Sequence, residues 1–139
     1  MMSRWIVVGL LALQAHFAAS YLVPLDAPSQ REFGGLLRWA WPWSEGDGGP
    51  LGRVTTGGDG PLISLGLALL AATAFLLAAL AAAGWWLPSA WLRPLAAAGA
   101  LLLLGLTTLF FGPTKLIPVA SALATLYLAL AHPPVLTTD

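Results

Sequence analysis

The chain has 139 residues, of which 58% are hydrophobic and 9% charged, where a soluble domain carries about a quarter charged residues. So few charges cannot cover a water-soluble surface of this size, so the favoured solvent is lipid and the length allows one compact unit. Six basic residues balance six acidic ones and there is no cysteine; this leaves no electrostatic case for nucleic acid and excludes disulfides, thiolate nucleophiles and cysteine-type metal sites.

Four apolar runs follow one another, over 5–23, 62–83, 95–111 and 116–131. Each is close to the ~20 residues that cross ~30 Å of hydrocarbon. Leu and Ala dominate them and favour helix. Lipid offers the backbone no partners, so each run must satisfy its own hydrogen bonds as a helix. In the first run, Arg4 and the small residues Ala18, Ala19 and Ser20 also fit a cleavable signal peptide; a retained anchor is the expectation taken. The segment 24–60 is the only sizeable polar stretch and holds five of the six acidic residues, Asp26, Glu32, Glu45, Asp47 and Asp59. Phe33, Leu36, Leu37 and Ala40 recur at helical spacing, which predicts a short helix lying flat in the membrane interface. Trp39, Trp41 and Trp43 alternate after it, and a Gly-rich loop completes the segment. The third and fourth runs meet at Gly112-Pro113-Thr114-Lys115, which predicts a helical hairpin, with one broken helix as the alternative. Trp5, Tyr21, Trp85, Trp86 and Trp91 sit where spans end, as an interfacial aromatic belt requires.

Small residues recur at four-residue spacing, as Ala74, Ala78 and Ala82, as Ala96 and Ala100 beside Gly99, and as Ser121, Thr125 and Ala129. Such stripes allow close helix contact where hydrophobicity supplies little drive. With four spans both termini share one side. The count of basic residues favours termini outside, whereas Arg4 directly before the first span resembles a signal anchor entering N-terminus-in. Cytoplasmic termini are the expectation taken.

Polar residues within spans are the first candidates for function, because placing them there is costly. Gln14 and His16 lead. The Ala12-x-x-x-His16 spacing resembles that of bacterial light-harvesting polypeptides, which are single-span chains; the resemblance implies haem or chlorophyll at His16 and covers two residues. The competing reading is a histidine bonded to a neighbouring helix or subunit, and no cofactor is expected. His132 closes the fourth run, more than about 10 Å from the depth of His16 at ~1.5 Å per residue, so the two cannot ligate one haem. Thr73, Thr107, Thr108, Ser121 and Thr125 are expected to bond back to their own helices. No span holds Asp or Glu, which counts against a proton relay. No Ser/His/acid arrangement or metal-ligand spacing is present, and Gly46, Gly48, Gly49 and Gly52 do not form a phosphate cradle. Lys115 is a candidate headgroup or anion contact, with snorkelling as the simpler reading.

The expected architecture is all-α, a four-helix transmembrane bundle forming a single domain over 1–139 with one Trp/Gly-rich extramembrane loop. It is expected in the cell membrane as a multi-pass protein without enzymatic activity, in contact with the bilayer and other membrane protein subunits and with no nucleic acid. The functional expectation is an accessory or structural subunit of a larger membrane complex. The alternative is binding or transport of a lipid-like molecule (quinone, carotenoid or isoprenoid) between the spans.

Overall fold

The computed structural model describes residues 4–22, 60–110 and 115–131. Among these residues the chain is helical, with no strand. Four α-helices follow in order: α1 (Arg4–Ala19), α2 (Gly60–Ala83), α3 (Leu92–Leu109) and α4 (Leu116–Leu130). Short 3-10 turns extend the end of α1 over Ser20–Leu22 and precede α3 over Ser89–Trp91. Three segments are long and apolar enough to cross a membrane: Arg4–Leu22, Leu62–Ala83 and Ser89–Leu109. The fourth helix is shorter, at 15 residues, or about 22 Å. Of the expected loop 24–60, Gly60 instead opens α2; its remainder with the interfacial helix and the alternating Trp39, Trp41 and Trp43, and His132, lie outside the described residues.

The last three helices begin alike. Pro61, Pro94 and Pro118 stand in the first turns of α2, α3 and α4, and none of these helices has an acidic residue there. A helix start leaves unbonded N–H groups, and proline simply lacks one. This removes an orphan donor without adding a charge. It also explains why the third helix starts at Leu92 and not near 95: a proline at the third position is compatible with the first turn. Helix α2 stops in a Schellman turn, in which Gly84 N–H bonds the Ala81 carbonyl and Trp85 N–H bonds the Leu80 carbonyl. Gly84 supplies the left-handed φ of +72° that this stop requires.

Helix α2 is the centre of the packing: α1 lies against it on one side and α3 on the other, α4 packs on α3, and α1 touches α4 more sparingly. The expected small-residue stripes face inward, with Ala74, Ala78, Ala82, Ala96 and Ala100 all buried. From Leu62 to Ala83 the buried residues of α2 are alanines apart from Ser64 and Phe75. Phe75 fills the hollow at Gly99 of α3, where a Cβ would come 3.0 Å from the ring. Along α1 and the turn that extends it, the buried positions Val7, Leu11, Gln14, Ala18 and Tyr21 repeat every three or four residues, the spacing of a helix–helix seam. Ala18 and Ser20, two residues of the possible cleavage site, are fully buried.

Candidate functional site

Gln14 and His16, the leading pair from the sequence, part company in the structure. Two residues along a helix turn the chain by about 200°, so their side chains leave α1 in nearly opposite directions. Gln14 is buried and points at α4. Its Nε2 donates to Thr125 Oγ1 at 3.1 Å, and its Oε1 accepts from Ser121 Oγ at 3.4 Å. The Thr125 hydroxyl donates to the Ser121 carbonyl at 2.9 Å, and the single Ser121 hydroxyl proton is shared between Gln14 and the nearer Pro118 carbonyl at 2.9 Å. This polar clasp joins α1 to α4 across more than a hundred residues of chain. Ser121 and Thr125 were legible as small packing residues; that Gln14 is their partner was not.

His16 is half-buried, and Ala12 one turn before it is exposed. The imidazole lies beside the Phe17 ring, with centroids 6.1 Å apart at 51°. Gly9, a further turn back, has open space where a Cβ would stand. The geometry needed to compare His16 with His132 falls outside the described residues. Among the described residues, no group of three His, Asp or Glu side chains comes together to hold a metal.

The hydroxyls of α3 turn back on their own helix, Thr107 to the Leu103 carbonyl at 2.8 Å and Thr108 to the Leu104 carbonyl at 2.7 Å. Their donors are thereby used locally, as expected for hydroxyls in apolar helices.

Lys115 departs from the expected snorkelling. It is 3% exposed, and its ammonium donates to the Phe110 carbonyl and sits 4.9 Å from the centroid of the Tyr21 ring. The reason is local: the end of α3 leaves carbonyls without partners and carries partial negative charge, both of which a cation relieves. An aromatic face beneath the ammonium adds cation–π attraction. Tyr21 is correspondingly displaced from the expected aromatic belt. It is buried under Lys115, and its sealed hydroxyl has no hydrogen-bond partner among the described residues.

The remaining belt residues gather at the opposite end. The Arg4 guanidinium lies 4.0 Å from where a Gly84 Cβ would stand, so the start of α1 adjoins the end of α2. Trp5, Trp85, Trp86 and Trp91 are all more than half exposed there. The tightest point is Trp86, whose φ is +57°. Leu87 N–H reaches back to the Trp85 carbonyl at 2.6 Å, making a three-residue γ-turn with Trp86 at its centre. Such a turn is strained for a bulky residue. The chain matches no protein-family model, no curated protein and no solved structure.

Proposed function

We propose that this chain is a small, non-catalytic, multi-pass integral membrane protein that serves as an accessory or structural subunit, packed against a larger membrane complex. In this reading α1 is a retained span and α4 makes the fourth crossing. The observation that carries the reading is α4. At about 22 Å it falls short of a ~30 Å hydrocarbon layer, and a short span is accommodated by thinning the bilayer or by association with other helices. Among the described residues its broad contact is with α3. Its outer side bears Ala120 and Ala124 among Ile117, Leu123 and Tyr127, all exposed. Small residues flanked by large ones allow a further helix to approach closely. The clasp at Gln14 supports the same reading, because it uses the polar groups of α1 and α4 to fix the bundle.

Gentle purification from the native membrane tests the proposal. The chain is expected to travel with a larger assembly, and Ala124→Trp is expected to release it while leaving it helical and monodisperse. A wild-type chain that leaves the membrane as a free monomer would sink the subunit reading. Organic extraction of the same material addresses the alternative: a quinone, carotenoid or isoprenoid recovered in a fixed ratio to protein would favour ligand binding between the spans.

A further inference from the structure

We infer that the tryptophan-bearing end of the bundle is a docking surface for anionic phospholipid headgroups, which anchors the chain to one leaflet. The inference rests on the membrane-spanning part of the reading above, not on the subunit role. Four indoles come from three places, the start of α1, the turn after α2 and the turn before α3, and all stand at the level of the helix ends. Their exposures are 56% for Trp5, 59% for Trp85, 98% for Trp86 and 54% for Trp91. Indoles spread around one level fit a layer, and the layer that favours an apolar ring with an N–H donor is the headgroup–acyl boundary. The γ-turn directs Trp86 fully outward at a cost in backbone strain, which is compensated only if the indole gains something outside the bundle.

Charge selects which headgroup. Arg4 is exposed among these indoles, its guanidinium carbon 5.2 Å from the Trp5 ring centroid. The start of α1 and the stretch 84–93 contain no carboxylate. Guanidinium pairs with phosphate through parallel hydrogen bonds, and an anionic surface draws basic side chains placed beside a span. An excess of negative lipid therefore complements this end.

The test uses the full chain, delipidated in detergent and titrated with phosphatidylcholine or phosphatidylglycerol, with bound lipid counted by native mass spectrometry. Phosphatidylglycerol should be retained about fivefold over phosphatidylcholine, the fold-change one basic side chain carries at an anionic surface. Arg4→Gln should bring the ratio close to one, with Arg4→Ser as a second variant should the first misfold. Trp85→Ala with Trp86→Ala should lower retention of both lipids. Arg53→Gln, a basic residue of the loop, should leave the ratio unchanged. Equal retention of the two lipids by the wild type would overturn the inference, as would a preference that survives Arg4→Gln or disappears with Arg53→Gln. Each of these outcomes leaves the membrane reading standing, whereas a chain that stays folded in buffer without detergent removes both.

Discussion

Where α2 meets α3, Gly99 lets the Phe75 ring come so near that a methyl group would not fit without displacement. Where α1 meets α4, a glutamine reaches across to a threonine and a serine. The first contact is dry and depends on shape; the second is polar and depends on matched donors and acceptors. In an apolar solvent the two differ in what they specify. Burial against lipid-like surroundings supplies little energy, so close packing must supply attraction through dispersion. A hydrogen bond between helices adds less than its rarity suggests, because an unfolded chain in the membrane also finds partners for its polar groups. Its contribution is register: Gln14 meets Thr125 only at one rotation and one height of α1 against α4.

That contrast can be broken by mutation, and the largest effect should fall on the dry contact. Phe75→Ala empties the space at Gly99 and should cost about 3 kcal/mol, read as loss of the folded state in detergent-titration or thermal unfolding of the purified chain. An unchanged midpoint would mean that the α2–α3 contact is not held by shape. Gly99→Ala tests the same hollow from the other side. The added methyl must push the Phe75 ring, with an expected loss of about 2 kcal/mol, and combining it with Phe75→Leu should restore part of that loss. Tyr21→Phe should move stability the other way. Deleting the sealed hydroxyl relieves an unmet hydrogen bond worth about 1 kcal/mol while leaving the ring under Lys115, so a destabilised variant would reveal a partner for that oxygen. The smallest effect should be the clasp. A double-mutant cycle of Gln14→Leu and Thr125→Val should give a coupling of about 0.6 kcal/mol. A coupling several times larger would reverse the ranking of the two contacts.

The tryptophans extend the comparison to the two ends of the bundle. Trp5, Trp85, Trp86 and Trp91 turn outward at one end, whereas Tyr21 turns inward at the other with its ring against Lys115. From sequence alone all were aromatic residues near span ends and read alike. The difference arises because Tyr21 lies on the buried seam with Val7, Leu11, Gln14 and Ala18, while Trp5 does not. A helical wheel marks that seam only when its opposite face is polar, and the opposite face of α1 carries Leu10 and Leu13, which are exposed. Lys115 illustrates the same point. Its position after Gly112-Pro113 was legible as a turn; its burial depended on the free carbonyl of Phe110 and the Tyr21 ring arriving together.

What the amino-acid sequence determined by itself was the set of rods. Runs of Leu and Ala, three of them opened by prolines and one stopped at Gly84, become helices wherever the backbone must bond to itself, and this requirement is local to each run. Which sides of those rods meet was settled only in three dimensions. With leucine on inner and outer faces alike, apolar patterning cannot choose a side; the choice falls to where a ring finds a glycine, where an amide finds a hydroxyl and where a cation finds a helix end. Each of these depends on two stretches of chain reaching contact distance, so the partner of Gln14, the meeting of Phe75 with Gly99 and the burial of Lys115 against the Tyr21 ring belong to the tertiary structure, whereas the outward turn of Trp86 is local to its γ-turn.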